Sequence, residues 1–272
     1  MSASLQMNVA VVQLTCTQNV NENMKKVLDF ASEAVESGAD LITLPENYGF
    51  LGGEKEKLAH AQNLDDGPFV TPLRQFAQNN NVGIIAGGLP EASEDKNKVY
   101  NTSILIDRSG AITASYRKIH LFDIDYSEAS FQESSFVCPG NDTVVANFDG
   151  WNIGLSICYD LRFPELYRKL IKDGAEILCI PAAFTLHTGK DHWQPLLQSR
   201  AIENQAYVAA PAQFGKHSEK RSSWGKSMLI DPWGNILGLA KEAEGFALAT
   251  FEKSYLQNVR QGLPTLTHRR LT

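Results

Sequence analysis

Apolar and polar positions along this chain switch between strand-like runs and helical spacing, and they do so twice in the same order. Val9 to Gln13 reads as a buried strand. Asn21 to Ser37 carries its apolar residues on one helical face and stops at Gly38, the residue type that most readily ends a helix. Leu41 to Leu44 predicts a strand, Thr71 to Asn80 a helix, Val82 to Ala86 a strand, and Ser103 to Tyr116 a hairpin turning at Arg108-Ser109-Gly110. From Ile153 the order returns. Ile153 to Ile157, Ile177 to Ile180 and Tyr207 to Ala210 read as strands, Glu165 to Asp173 and Trp193 to Asn204 as helices, and a hairpin turns at Pro232-Trp233-Gly234-Asn235.

The echo extends to individual residues. Gly38-Ala39-Asp40-Leu41-Ile42-Thr43-Leu44-Pro45-Glu46 is answered by Gly174-Ala175-Glu176-Ile177-Leu178-Cys179-Ile180-Pro181-Ala182, and Ser103-Ile104-Leu105-Ile106-Asp107 by Ser227-Met228-Leu229-Ile230-Asp231. Two echoes in one order imply an internal duplication. Each half builds a sheet with one face for helices and one for its twin, so the expected fold is α/β: a four-layer α-β-β-α sandwich with pseudo-twofold symmetry. With no linker or low-complexity segment between the halves, residues 1–272 are expected to form one domain. Gly245 to Phe251 predicts a further strand. The tail from Lys253 through His268-Arg269-Arg270 carries too little apolar surface to fold alone, which leaves it solvated or packed on a partner subunit.

Composition narrows the partners. The net charge is −6 and the pI about 5.6, which argues against nucleic acid or an anionic membrane surface and favours small polar metabolites. Cys16, Cys138, Cys158 and Cys179 form no C-x-x-C pair and no zinc-like group with histidine, so free thiols in a reducing cytoplasm are expected. No basic leader precedes an apolar segment, and no apolar run reaches the roughly 18 residues of a membrane span.

Cys158 is the leading candidate for chemistry. The strand Ile153 to Ile157 ends at its thiol, and Pro164 suits the first turn of a helix just beyond. At such a corner, amide N–H groups and a helix dipole can favour thiolate. A buried structural cysteine is the commoner fate, but the flanking Tyr159, Asp160, Arg162 and Glu165 form a polar collar that a structural thiol does not need. The duplication also breaks usefully at Glu46, where an acid stands at a strand end whose twin has Ala182. At the C-terminal edge of a sheet it is a candidate base, although such a residue is often only the start of a loop. Lys118 is a cation inside an apolar and aromatic stretch, which by itself reads as a snorkelling surface lysine. A serine hydrolase is disfavoured because Gly154-Leu155-Ser156-Ile157-Cys158 lacks the final glycine of a nucleophile elbow. His187 and His192 have no convincing third partner for a metal.

Three segments together, Leu44-Pro45-Glu46, Tyr116-Arg117-Lys118-Ile119-His120-Leu121-Phe122-Asp123 and Cys158-Tyr159-Asp160-Leu161-Arg162-Phe163-Pro164-Glu165, resemble the Glu, Lys and Cys motifs of the nitrilase superfamily, in that family's order. The resemblance implies the nitrilase fold, no cofactor, and a homodimer or higher homo-oligomer. It implies Cys158 as nucleophile, Glu46 as general base and acid, and Lys118 with the Tyr159 N–H as oxyanion stabilisers. Glu133, in Phe131-Gln132-Glu133-Ser134, resembles a second glutamate that many members carry beside the lysine, with an exposed loop acid as the alternative.

The segments Pro181-Ala182-Ala183-Phe184-Thr185, Thr188-Gly189, His192-Trp193 and Arg200-Ala201-Ile202-Glu203-Asn204 are similar to the Nit branch. That branch includes ω-amidases, acting on α-ketoglutaramate, and deaminated glutathione amidases, which release α-ketoglutarate and cysteinylglycine. Both substrates carry an α-keto acid. Tyr159, Phe184 and Thr185 are implied as substrate contacts, and Arg162 suits the keto-acid carboxylate unless Glu165 or Asp160 claims it. Gly215-Lys216-His217-Ser218-Glu219-Lys220-Arg221 resembles the deaminated glutathione amidases more than the ω-amidases, and Arg221 could meet the second carboxylate of the peptide substrate, the default for such a loop being a solvated turn. A catalytically silent scaffold of the same fold is the reading from another class.

Overall fold

The computed structural model describes residues 5–126 and 129–271. In the first half, strand β1 (Gln6–Leu14) leads to helix α1 (Val20–Glu36), strand β2 (Leu41–Leu44), helix α2 (Thr71–Asn80), strand β3 (Gly83–Ala92) and the hairpin β4 (Val99–Ile106) and β5 (Ile112–Arg117). Strand β6 (Val145–Phe148) then leads into the second half: β7 (Trp151–Leu155), helix α3 (Pro164–Lys172), β8 (Ile177–Cys179), helix α4 (Leu186–Asn204), β9 (Tyr207–Ala210) and the hairpin β10 (Met228–Ile230) and β11 (Ile236–Leu239). Strand β12 (Gly245–Glu252) and helix α5 (Lys253–Gly262) follow.

The duplication is explicit in the strand order. β1, β2 and β3 are parallel neighbours and β4 and β5 continue antiparallel. β7, β8 and β9 are likewise parallel, with β10 and β11 antiparallel beyond them. Each sheet adds an antiparallel strand outside its first: β6 lies on β7, and β12 lies on β1 from Gln6 opposite Glu252 to Gln13 opposite Gly245. The end of the chain therefore closes the sheet that its beginning opened.

Strand alternation sorts the two faces. Val9, Val11, Leu41, Ile85 and Leu105 join Ile153, Leu155, Ile177 and Val208 in the core between the sheets. Ala10, Val12, Leu14, Ile42 and Ile84 face outward onto Met24, Val27 and Ala31 of α1 and Leu73 and Ala77 of α2. Full burial of each larger side chain contributes about 1.5–3 kcal/mol. Helix α1 starts where the Asn19 side chain accepts the Glu22 N–H at 3.2 Å, and α2 starts with proline in its first turn.

Several boundaries differ from the sequence expectation, and the strand before Cys158 is Trp151–Leu155 rather than Ile153–Ile157. Strand β3 runs past Ala86 to Ala92 through a bulge at Gly87-Gly88. Helix α4 begins at Leu186 rather than Trp193, capped by the Thr185 hydroxyl. The segment after β12 is not a bare tail: α5 lies on its own chain with Leu256 and Val259 buried, and Arg260 donates to the carbonyls of Gln205 and Ala175.

Candidate active site

Both halves of the duplication contribute to one cavity of about 620 Å³, lined by Glu46, Lys118, Glu133, Cys158, Phe184 and Arg221 among others. Glu46 follows β2 after Pro45, with Asn47 in the left-handed region at φ 62° turning the chain away. The bulge on β3 makes room for it. Gly88 sits at φ +67°, and a Cβ there would come within 2.6 Å of the Glu46 Cγ.

Lys118 leaves the end of β5 and is 2% exposed. Its Nζ lies 3.2 Å from Glu46 Oε1 and 2.8 Å from Glu133 Oε2. Glu133, in a 3-10 turn at Glu133–Ser135, also accepts the Phe122 N–H at 2.7 Å. It is thus a buried partner of the lysine and not an exposed loop acid. Asn101 of β4 donates its side-chain amide to Glu46 Oε1 at 2.9 Å and to Glu133 Oε1 at 3.2 Å, so one donor holds both carboxylates.

Cys158 stands at φ 49°, unusual for a residue with a Cβ, at the start of the 3-10 turn Cys158–Arg162. Its N–H donates to the Pro181 carbonyl at 2.9 Å. The Glu46 carboxylate and the Ala183 N–H both act on the thiol. That N–H also donates to Glu46 Oε2 at 3.0 Å. Ser156, two residues before Cys158, is occupied instead: it donates to the Cys179 carbonyl and accepts from the Tyr167 hydroxyl.

The electrostatics correct one expectation. Burial raises the Cys158 thiol well above the ordinary cysteine range, and the Glu46 carboxylate adds to the rise, outweighing Lys118 and the Ala183 N–H. The helix dipole does not make a resting thiolate, because α3 begins only at Pro164, beyond the 3-10 turn. Burial would raise Glu46 as well, but Lys118, then Lys57, with hydrogen bonds from Cys158 and Asn101, bring its carboxyl down to about 2. Burial pulls on Lys118 in the opposite sense and loses to Glu133 and Glu46, which keep it firmly protonated. The resting site is therefore a neutral thiol beside a carboxylate that can only accept its proton.

The expected substrate contacts separate into two groups. Arg162 lines the cavity, rests over the Phe184 ring at 5.1 Å and approaches His192 Nδ1 at 3.3 Å. Among the described residues it pairs with no carboxylate. Asp160 is already engaged by Tyr116 and His120. Arg221 lies in the hairpin turn between Ala212–Lys216 and Ser222–Trp224, with its guanidinium 5.7 Å from the Phe131 ring centre and no carboxylate partner among the described residues. Tyr159 and Phe184 form cavity walls, Tyr159 meeting Phe122 edge-on and Phe184 packing on Trp193. Thr185 lines the cavity too, but its hydroxyl is spent on Thr188 as the cap of α4.

Asn101 and Lys57 carry no local mark in the sequence, and Asp160, expected there only as a collar residue or a partner of Arg162, is bound to Tyr116 and His120 instead. Hairpin register could have found Asn101, since a turn at residues 108–110 sets it beside Lys118, whose N–H donates to the Asn101 carbonyl at 2.9 Å.

The Carbon-nitrogen hydrolase family matches residues 8–261 of the chain. A deaminated glutathione amidase of Synechocystis sp. strain PCC 6803 is 47% identical, covering 96% of this chain and 97% of that one. The crystal structure of the C. elegans NitFhit protein superposes with a TM-score of 0.93 at 36% identity, over 99% of this chain and 66% of that one. An amidase mutant from Nesterenkonia sp. AN1, with the acetamide moiety of fluoroacetamide added covalently at its active-site cysteine, has a TM-score of 0.80 at 26% identity over 97% of each chain. Fold, site geometry and these likenesses converge: the chain belongs to the carbon-nitrogen hydrolase family and is a hydrolase of amide carbon-nitrogen bonds.

Proposed function

We propose that the chain cleaves the amide of deaminated glutathione, releasing cysteinylglycine and α-ketoglutarate through a thioester on Cys158. The observation that carries this reading is that Arg162 and Arg221 both face the cavity holding Cys158, and neither pairs with a carboxylate among the described residues. The substrate has one carboxylate at its keto-acid end and one on its distal glycine. The names of relatives such as the Synechocystis protein support the same substrate.

In the first step Glu46 accepts the thiol proton as Cys158 Sγ bonds to the amide carbon, so no free thiolate has to build up. The carbonyl oxygen becomes an oxyanion, met by the Lys118 ammonium and the Tyr159 N–H at the start of the 3-10 turn. Glu46, now a carboxylic acid held far from its preferred charge state, returns the proton to the amide nitrogen as the carbon-nitrogen bond breaks. Water then attacks the thioester with Glu46 again as base, and Cys158 recovers its proton. Glu133 and Asn101 hold Lys118 and Glu46 at their stations throughout. Side chains carry every proton and charge of this scheme, so it needs neither metal nor cofactor.

On the same reading the chain works in the cytoplasm as a homo-oligomer. Its four cysteines are all free, which suits a reducing compartment, and among the described residues no helix is long and apolar enough to cross a membrane. Side-by-side kinetics on deaminated glutathione and α-ketoglutaramate test the substrate. A higher kcat/KM on the keto-peptide is expected, and a strong preference for α-ketoglutaramate would make the chain an ω-amidase. Absence of turnover on both would leave a binding scaffold.

A further inference from the structure

Three lysines line the cavity, and among the described residues only Lys118 has a carboxylate within ion-pair reach. Lys118 has Glu46 and Glu133 against its ammonium. Lys57, on the short helix Glu54–Ala59, donates to Asn47 Oδ1 at 3.0 Å and has no carboxylate within ion-pair reach among the described residues. It lies near enough to Arg221 for the two positive charges to repel. Lys220 lines the same rim, and the acid there, Glu219, is exposed and unpaired with either of them among the described residues. Glu133 and Glu46 attract Lys57 only from beyond ion-pair reach and are already paired with Lys118, so a further anion at this partly desolvated wall is favoured.

The position of this wall identifies the anion. Lys57 acts on Glu133 and Glu46, whereas Arg162 packs on Phe184 and Tyr159 and has no ion pair with either glutamate. Glu46 is the group that protonates the departing amine, so the leaving group must exit on the Glu46 side. Resting on the function proposed above, we infer that Lys57 and Arg221 form a subsite for the C-terminal carboxylate of a short peptide leaving group, while Arg162 receives the carboxylate of the acyl part. The enzyme thereby selects amides with an anion at both ends, and Lys57 is the specificity-determining residue of the leaving-group end.

The test compares Lys57→Met, Lys57→Arg and wild type on deaminated glutathione and on α-ketoglutaramate, whose leaving group is ammonia. In Lys57→Met the loss of kcat/KM on the keto-peptide is expected to exceed the loss on α-ketoglutaramate by about ten- to a hundredfold, carried mainly by KM, as for a lost charge-assisted hydrogen bond. Lys57→Arg is expected to recover most of that difference. Calorimetric titration with cysteinylglycine reads the subsite without turnover, and binding is expected to weaken at least tenfold in Lys57→Met. Equal losses on both substrates with unchanged dipeptide binding would overturn the subsite and leave Lys57 acting only on Glu46. Wild type that binds cysteinylglycine through Lys57 but does not cleave the keto-peptide would overturn the proposed substrate and keep the subsite.

Discussion

The Tyr116 hydroxyl donates a 2.7 Å hydrogen bond to Asp160 Oδ2, joining the strand that delivers Lys118 to the turn that delivers Cys158. Asp160 is fully buried and also accepts the N–H groups of Ile157 and His120 and meets His120 Nδ1. One carboxylate therefore fixes the approach of two segments, one from each half of the duplication. Asp160→Asn keeps the volume but changes an acceptor-only group into one that must also donate. We expect kcat to fall about a hundredfold, the scale of a small misplacement of reacting groups, with Tyr116→Phe showing a smaller fall. Steady-state kinetics at matched folded fraction check this, and an unchanged kcat in Asp160→Asn would contradict it.

Glu133 has a double role, since it neutralises Lys118 and accepts the Phe122 N–H. In Glu133→Ala the lysine keeps only Glu46, at 3.2 Å. Removing one partner from a buried ion cluster costs about 3–5 kcal/mol. Urea denaturation should show a loss on that scale together with a fall in kcat. A variant as stable as wild type would mean that Lys118 does not depend on Glu133.

The pH dependence of activity follows from Glu46. Its carboxyl is brought from the ordinary 4.5 down to about 2, so as the proposed base it stays ionised well below pH 4.5. The kcat/KM profile should show no acid limb near 4.5. Its stabilising contribution is fully present above pH 4.5 and is lost as pH falls through about 2, because only there does the folded state take up the proton. An acid limb centred near 4.5 in the wild-type kcat/KM profile, with the fold intact by circular dichroism across that range, would contradict the assignment.

His217 gives a second pH test away from the chemistry. Its ring lies between the Cys16 carbonyl at 2.8 Å and the Ser223 hydroxyl at 2.9 Å, and burial, with Arg221 nearby, lowers it from 6.5 to about 4. Between these values the unfolded chain holds a proton that the folded chain refuses, so stability rises with pH across that window. Acidifying from pH 7 to 4 should destabilise wild type more than His217→Gln. Parallel melting curves for the two proteins would show the ring to be ordinary.

Sequence reasoning reached the frame of the molecule because the duplication is written in strand-length apolar runs, such as Leu41–Leu44 and Tyr207–Ala210, whose bounds the structure reproduces. Glu46 was visible as the break in that duplication. What escaped depends on tertiary approach. The first turns of α4, from Leu186 to Lys190, show no apolar stripe, and Gly189 is small because a Cβ there would come within 2.3 Å of Trp224. A lone asparagine in β4 carries no local mark of two carboxylates on either side. The direction of the Cys158 shift could not be read either. The helix beyond the thiol is local, whereas burial and the approach of Glu46 arise only when the two sheets close.

In the proposed reaction the Cys158 sulfur carries the acyl group during turnover. Acid quenching of wild type reacting with deaminated glutathione, followed by mass spectrometry of the peptide containing Cys158, tests it most directly. An α-ketoglutaryl thioester on that residue is expected, with no adduct and no turnover in Cys158→Ala. An adduct on another side chain, or a Cys158→Ala protein that still hydrolyses the substrate, would contradict it.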